Sequence, residues 1–475
     1  MRLAAAALCA LTALPRPACC LEAAAGRVDI TPDLRTEKVL LAGFGATGRK
    51  PAGVHDPLYA RLLVLREGAT TVALVGLDLL GMTINDTQDL RRLAGYDRTG
   101  RSLFVHATHT HSGPDTLGLW GPVPGVSGVN LRYHRRIKET VSAALKLLES
   151  RLRPVRASGA RGALDPRGLC RDSRDPQVID PDLAVLRLMD KAGKTVVTIV
   201  NWSCHPEVLG KENHLITADF PGPLCARVEE KTGGACLFLN GMIGGLMTPD
   251  TRSENFYESA RVGAAVADAA LALKPGAAGA GLFFRSQRVL VPVENSRYRL
   301  ALPALTFGHR LLNAEGRPLP SWKRWSLALR HLLIGLTEQT QPWVESEVSV
   351  LRIGPAIILG MPGEVFPELA VGGYDGRYAF GRPVLTSGNP DPPDLSQAPK
   401  GPFLRDLVKS PVPMLAGLAN DELGYLVPAY DFKARQSKLM LPRMRGHHYE
   451  ETNSIGPAAT GLLSEAAARL LKSSR

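Results

Sequence analysis

The densest concentration of histidine in the chain lies within residues 105–114. Three of the eleven histidines, His106, His109 and His111, fall within six residues at the end of an apolar, strand-like run. In an extended backbone, residues two positions apart share a face, so His109 and His111 can point into one cavity. Neutral imidazole is the commonest metal ligand among side chains. The spacing therefore favours a metal centre, whereas one isolated histidine would indicate a surface or core residue.

Other polar residues follow further apolar runs that are predicted to be strands. His205, Thr248 and Glu364 each come shortly after such a run. In open α/β sheets, ligands bind in the crevice outside the carboxyl ends of the strands. The sequence therefore predicts that these three residues converge with His109 and His111 in one crevice.

The pattern of apolar residues predicts strands that alternate with helices. Helical spacing covers 133–148 and 259–273, and a final helix is expected at 457–471. Apolar and β-branched runs predict strands at 71–77, 103–105, 195–200, 236–239 and 356–359. This order predicts an α/β fold with a mixed, partly parallel sheet, flanking helices and a metal site at the carboxyl ends of its strands.

Residues 1–25 have the pattern of a secretory signal peptide. An arginine near the start is followed by an apolar stretch at 3–14 and then by small residues. The apolar stretch is too short to span a bilayer as a helix. We expect cleavage after Ala18 or near Ala25, an exported protein, and a single domain over residues 26–475. The four cysteines of that domain are too few for a disulfide framework.

The chain is basic, with 57 lysines and arginines against 45 acidic residues and a net charge of +12. Such a balance suits an anionic membrane surface, a nucleic acid or simply a solvated basic surface. The sequence contains no nucleic-acid-binding motif, and export argues against that partner. We therefore expect no nucleic-acid partner and leave the other two interpretations open.

Four motifs together resemble the neutral/alkaline non-lysosomal ceramidase family, zinc amidohydrolases that cleave the N-acyl bond of ceramide. The most specific is THTHSGP at 108–114. The others are NWSCHP at 201–206, PGE at 362–364, and GLAN at 417–420 with Tyr425 following. The resemblance extends from residues 28–32 to residues 449–453.

The resemblance implies a zinc site formed by His109, His205, Glu364 and Tyr425. It also implies that His111 acts beside the metal as a base or as a substrate contact. Two imidazoles, a carboxylate and a phenol leave room for water, which a catalytic zinc requires. Without the family, His205 could equally cap a turn, Glu364 could be an exposed turn acid, and Tyr425 could be a core aromatic.

The predicted substrate side of the site departs from the family. Thr248 stands where the family has its essential serine, and Leu246 stands where it has an aspartate. Threonine keeps a hydroxyl but restricts χ1, and the loss of the carboxylate removes an orienting partner. Gly43 is expected in a tight loop near the substrate, and Arg171 is expected to contact polar groups of the substrate.

Two acidic residues are candidates for carboxylates that orient the ligands. Asp78 comes at the end of the apolar run 75–77, and Asp219 lies within the segment 217–220. The alternative is that each is an ordinary turn or cap acid. The chain ends soon after the predicted helix at 457–471, so we expect no counterpart of the family's C-terminal immunoglobulin-like domain.

These residues predict a zinc-dependent amidohydrolase that uses metal-activated water on ceramide or a related N-acyl lipid. Two alternatives stay open. The first is another exported metal hydrolase that acts on a different amide or ester. The second is a lipid-binding homologue without catalytic activity, which the residues Leu246 and Thr248 favour and the retained metal ligands disfavour.

Residues 319–336 have the amphipathic pattern of a helix that lies in a membrane interface. Trp322 and Trp325 share one face with several leucines, while Lys323 and Arg324 gather largely opposite. A helix packed on the protein's own core would show the same pattern. Because a lipid substrate must leave a bilayer to reach the site, we expect peripheral membrane contact here.

Overall fold

The computed structural model describes residues 21–124, 126–295, 309–320, 326, 341–433 and 448–473. Its strands are β1 (Glu22–Asp29), β2 (Gly53–Val54), β3 (Tyr59–Glu67), β4 (Thr70–Leu77), β5 (Arg101–Ala107), β6 (Arg153–Ala163), β7 (Cys170–Asp172), β8 (Asp182–Asp190), β9 (Thr195–Trp202), β10 (Leu215–Ile216), β11 (Ala235–Asn240), β12 (Met247–Pro249), β13 (Ala277–Gly279), β14 (Leu282–Pro292), β15 (Trp343–Ile353), β16 (Ala356–Gly360), β17 (Glu364–Val365), β18 (Val412–Ala416) and β19 (Tyr425–Leu426). Its α-helices are α1 (Ile84–Ala94), α2 (Leu131–Glu149), α3 (Pro221–Thr232), α4 (Phe256–Ala272), α5 (Pro367–Val371), α6 (Leu404–Leu407), α7 (Tyr449–Thr452) and α8 (Ala458–Ser473). Short 3-10 turns lie at Leu395–Gln397 and Ala429–Asp431.

A large mixed sheet forms one half of the fold. In the described residues it has nine strands, in the order β11-β9-β8-β6-β1-β3-β4-β5 with β13 paired to β6. Most neighbours are antiparallel, but β9 runs parallel to β11, and β4 runs parallel to β5. The sheet curves, so that β11 comes against β3, β4 and β5. The two parallel pairs, which lie far apart in strand order, therefore end in the same region.

A second sheet, of order β14-β15-β16-β18, packs against the first. Its strands β16 and β18 are parallel. The two sheets share one apolar core, to which Leu74 and Ile199 contribute from the large sheet and Ile358 from the second. Helices cover the outer faces: α2 packs on the β3 side of the large sheet, α3 and α4 on the β8, β9 and β11 side, and α8 on the second sheet. The result is a helix–sheet–sheet–helix arrangement.

Local sequence explains where the helices begin and why they pack. Asn130 caps α2 by accepting hydrogen bonds from the amides of Arg132 and Tyr133. The buried positions of α2 then recur at three- and four-residue steps, as in Ile137 and Val141. Strands β4, β9 and β11 are buried along nearly their whole length, because they are covered on both faces.

The predicted fold class, a mixed and partly parallel α/β fold with flanking helices, is confirmed. The five predicted strands lie within or at β4, β5, β9, β11 and β16, and the three predicted helices overlap α2, α4 and α8. The division of the strands between two stacked sheets was not predicted. A strand covered by a second sheet and a strand covered by a helix have the same apolar sequence, which is why the pattern cannot separate the two arrangements.

Three observations bear on the predicted signal peptide and membrane contact. Strand β1 begins at Glu22, so cleavage after Ala18 would leave it whole, whereas cleavage after Ala25 would remove half of its eight residues. The predicted amphipathic helix at 319–336 lies almost entirely outside the described residues. Among the helices that the structure describes, none has the length and apolarity needed to cross a bilayer.

Candidate metal centre

Three buried histidines meet where strands of the large sheet end. His109 and His111 follow β5, and His205 follows β9. Each of the three offers a ring nitrogen, and these nitrogens all lie within 4.8 Å of one another. The ring centroids are 5.0 to 5.5 Å apart. The predicted convergence of the two histidine motifs is therefore observed.

Backbone carbonyls orient two of these rings. Nδ1 of His109 lies 2.7 Å from the carbonyl oxygen of Leu80, and Nδ1 of His205 lies 3.1 Å from that of Met247. A carbonyl oxygen can only accept, so Nδ1 carries a hydrogen in both rings, and Nε2 is the nitrogen that faces the rest of the cluster. This is the arrangement by which outer hydrogen bonds fix the tautomer of a metal-binding histidine.

Glu364 joins the two oriented rings. Its Oε2 lies 2.9 Å from Nε2 of His205, and its Oε1 lies 3.6 Å from Nε2 of His109. Glu364 begins β17, which pairs in parallel with β19 so that Glu364 stands opposite Tyr425. The Tyr425 phenol donates a hydrogen bond to the Glu364 carboxylate. The short pair β17–β19, whose strands follow β16 and β18 in the chain, thus brings both predicted ligands to the histidines that follow strands of the large sheet.

The charge states of these groups follow from burial and from their partners. Burial lowers the pKa of His109 to about 4, so its imidazole is neutral. Burial alone would raise the pKa of Glu364, but His109 and the hydrogen bonds from His205 and Tyr425 hold that pKa below its ordinary value. Burial also raises the pKa of the Tyr425 phenol well above its usual range. Burial alone would lower the pKa of His205, but its hydrogen bond to Glu364 raises that pKa above its ordinary value. Two imidazole nitrogens, an ionised carboxylate and a phenol oxygen form a donor set that fits zinc.

His111 differs from the other two histidines in what surrounds its ring. Burial, followed by the neighbouring His109, holds the pKa of His111 well below its usual range. The ring meets the edge of Phe44, with centroids 4.8 Å apart. A Cβ placed on Gly43 would lie 2.5 Å from Cγ of His111, so this glycine lets the backbone approach the ring. Neither ring nitrogen has a partner with hydrogen-bond geometry among the described residues, although Nδ1 lies 3.4 Å from Oε2 of Glu207.

The backbone at His109 is strained. Its φ of 73° lies in the left-handed region, which non-glycine residues rarely adopt. Hydrogen bonds fix both the backbone and the side chain of His109. Its amide donates to the Leu79 carbonyl at 2.9 Å, and its ring Nδ1 donates to the Leu80 carbonyl. Strain of this kind persists where the surrounding structure fixes it, and it is concentrated at functional sites.

Buried asparagines hold the strand-end loops together, and sequence analysis missed them. The Asn240 side chain donates to the carbonyls of Thr108 and Cys204 and accepts from the Cys204 amide, so it ties both histidine loops to β11. Asn420 accepts from the Val105 amide in β5. Each asparagine ends a short apolar run, which is the sequence signal that could have identified it.

Two of the predicted substrate residues, Thr248 and Arg171, lie on a strand pair that also carries the residue orienting His205. The Met247 carbonyl accepts hydrogen bonds from both the amide and Nδ1 of His205, and Thr248 is the next residue. Strand β12 pairs with β7, which places Thr248 directly opposite Arg171. Thr248 is half-buried and Arg171 is exposed. Thus Thr248 follows the residue that orients His205, Arg171 pairs with Thr248, and Gly43 approaches the His111 ring from a third segment.

The two predicted orienting acids have other partners. The Asp78 carboxylate accepts from the Tyr59 amide at 3.0 Å and lies 4.0 Å from Nε of Arg61. The Asp219 carboxylate accepts from the amides of Phe220 and Leu209. Both acids thus satisfy backbone groups at strand and helix ends, which was the alternative interpretation of their sequence positions.

Comparison with known proteins adds sequence relatives and structural neighbours. No family model matches the chain. The chain is 29% identical over 216 residues to a neutral ceramidase from Pseudomonas aeruginosa, a match that covers 42% of this chain and 32% of the relative. It is 26% identical over 231 residues to a neutral ceramidase from Mycobacterium tuberculosis, which covers 44% and 36% respectively. The chain thus spans about a third of the length of the relatives it matches.

The fold extends the likeness over nearly the whole chain. The crystal structure of the neutral ceramidase from Pseudomonas aeruginosa superposes with a TM-score of 0.64 at 18% identity, and covers 96% of this chain and 75% of that one. A ceramidase structure described as complexed with C2 has a TM-score of 0.63 at 17% identity, and covers 96% and 76%. At this level of identity, the likeness shows a shared fold.

Proposed function

Because these sequence matches and the shared fold make the chain a relative of the neutral ceramidases, we propose that it hydrolyses the N-acyl amide of ceramide or of a related N-acyl lipid. The observation that carries the proposal is the meeting of His109, His205, Glu364 and Tyr425 at one point beyond the ends of β5, β9, β16 and β18. Loops from four different strands contribute to this point, as expected for a site built on the fold rather than for a chance cluster.

Zinc is the metal that we propose for this site. His109 and His205 would hold it through Nε2, together with the Glu364 carboxylate and the Tyr425 phenol. When bound, zinc supplies Lewis acidity toward the scissile carbonyl and makes water nucleophilic near neutral pH. The backbone carbonyls at Nδ1 of both histidines support this assignment, because they direct Nε2 of each ring toward Glu364, the third proposed ligand.

The remaining residues act on the substrate and its protons. His111 is a buried, neutral imidazole beside the four proposed zinc ligands, and we assign to it proton transfer to the leaving amine. Thr248 presents a hydroxyl one residue from the carbonyl that orients His205, so it can hydrogen-bond the tetrahedral oxyanion. Gly43 and Arg171 are assigned to the substrate side of the site. Gly43 lets the backbone pack against the His111 ring, and the exposed Arg171 side chain contacts polar groups of the substrate.

A different N-acyl amide or ester is the second candidate substrate. The observation that favours it is Leu246, which has a left-handed φ of 54° and stands where the resemblance places an aspartate. A site that loses a polar partner for its substrate discriminates less strongly for that substrate's polar groups.

Export of the protein and peripheral membrane contact through residues 319–336 belong to the same proposal and rest on the sequence pattern alone.

Assay of the purified protein on a panel of N-acyl lipids tests this function. The panel should include ceramide, a short soluble N-acyl amine and a matched ester, each measured with and without a chelator. We expect amide cleavage that the chelator abolishes and that added zinc restores. Cleavage that is unaffected by metal removal, or hydrolysis of the ester alone, would contradict the proposal.

A further inference from the structure

Glu207 stands next to the one histidine of the cluster that lacks a backbone acceptor. Its Oε2 lies 3.4 Å from Nδ1 of His111, and its side chain is 13% exposed. The backbones of the two segments are tied as well. The His111 amide donates to the Pro206 carbonyl at 3.1 Å, and the Glu207 amide donates to the His205 carbonyl at 3.0 Å. Glu207 therefore lies in the turn that follows His205, and its carboxylate faces the ring of His111.

The surroundings of His111 fix the plane of its ring but not its direction. Gly43 and the edge of Phe44 confine the ring by contact, and Arg49 holds its backbone by donating to the His111 carbonyl. Imidazole is nearly symmetric in shape, so these contacts allow two orientations related by a half-turn about χ2. Only a polar partner distinguishes a nitrogen from a carbon at the Nδ1 position. Glu207 is the carboxylate placed there.

We propose that Glu207 is a positioning residue for His111. The carboxylate accepts the Nδ1 hydrogen, which selects one ring orientation and one tautomer and leaves the Nε2 lone pair for proton transfer. Backbone carbonyls perform this role for His109 and His205, and a carboxylate performs it for His111. The consequence for catalysis rests on the proposed function, in which His111 carries the proton to the leaving amine.

The first test is spectroscopic and independent of activity. A long-range 1H–15N spectrum of histidine-labelled protein reports which ring nitrogen carries the hydrogen, and the His111 signal is identified by its loss in His111→Gln. We expect a single Nδ1–H form in the wild type and in Glu207→Gln, whose amide oxygen can still accept. In Glu207→Leu, which has similar size but no acceptor, we expect a mixture of forms. An unchanged Nδ1–H form in Glu207→Leu would overturn the proposal.

The second test is a double-mutant cycle on turnover. Loss of an outer hydrogen-bond partner commonly costs about 10 to 100-fold, so we expect kcat to fall by roughly that factor in Glu207→Leu, with KM and bound metal unchanged. In a His111→Ala background, Glu207→Leu should cause no further loss. Glu230→Leu, on the exposed face of α3, is the matched control and should behave as wild type.

The outcomes separate this proposal from the proposed function. Equal losses from Glu207→Leu with and without His111, or loss of bound metal in Glu207→Leu, would show that Glu207 does not act through His111. A wild type that hydrolyses none of the amides would contradict the proposed function. In that case the tautomer measurement would still decide whether Glu207 positions the ring.

Discussion

Replacement of Gly43 by alanine is the sharpest test of how the site holds His111. The new Cβ would lie 2.5 Å from Cγ and 2.8 Å from Nδ1 of the His111 ring. Carbon atoms in contact normally lie about 3.5 to 4.0 Å apart, so the ring must retreat by roughly 1 Å. A misplacement of about 1 Å in a catalytic group can cost a hundredfold in rate. We therefore expect kcat for amide hydrolysis to fall about a hundredfold, which corresponds to about 2.7 kcal/mol of transition-state stabilisation.

Gly45 provides the matched control. It also has a positive φ, 65° against 101° for Gly43, but a Cβ at Gly45 would meet no atom within 4 Å. Both alanine variants carry the cost of a left-handed backbone, about 1 to 2 kcal/mol of stability each, measurable as a shift in urea denaturation. Only Gly43→Ala should lose activity. Equal activity in the two variants, or an equal loss in both, would refute the idea that residue 43 must be glycine to admit the ring.

Three further predictions address stability and the oxyanion. Asn240→Ala leaves three buried backbone groups of Thr108 and Cys204 without a partner, so urea denaturation should show a loss of roughly 3 kcal/mol or more; a loss below about 1 kcal/mol would contradict its role as a tie between loops. Thr248→Ser should keep activity and Thr248→Val should lose roughly a hundredfold in kcat, whereas an active valine variant would show that the hydroxyl is idle. Burial raises the pKa of Asp219 to about 7, above its unfolded value, so the folded protein retains a proton that the unfolded chain releases. Stability should therefore fall as the pH rises from about 4 to 7, and Asp219→Asn should reduce this fall; identical pH profiles of the two proteins would contradict the assignment.

The elements that carry the site could be predicted because their sequences are locally unambiguous. Strands β5, β9 and β11 each contain a short, buried apolar run, and the polar segments that follow them lie at the carboxyl ends. Because ligands gather at such ends, the positions of His109 and His205 after two of these runs predict that they meet. Tyr425 came from the family resemblance alone, since a tyrosine in an apolar segment ordinarily indicates core.

The remaining features depend on contacts between residues far apart in the chain. The curvature that brings β11 against β5 leaves no periodic signal, and neither does the stacking of the second sheet. Glu207 follows a His-Pro pair and has the sequence of an ordinary turn acid. Its role is visible only because the turn faces His111, almost a hundred residues earlier in the chain.

For Asp78 and Asp219, the sequence does not distinguish between two possible roles of an acidic residue. An acid at a strand end can orient a metal ligand or accept backbone hydrogen bonds, and both choices require the same residue type. The structure places backbone amides at both carboxylates. Composition and spacing do not distinguish these environments, because two of the three amide partners, Tyr59 and Leu209, come from other segments.

Metal analysis of the purified protein tests the central claim most directly. The wild type should carry one equivalent of zinc, and the double variant His109→Ala/His205→Ala should carry none. His214→Ala removes an exposed histidine whose Nδ1 faces the Lys50 carbonyl, and it should retain the full equivalent as a control. His111→Ala should also retain the metal, because His111 is assigned to proton transfer. A full equivalent of zinc in the His109→Ala/His205→Ala protein would contradict the account.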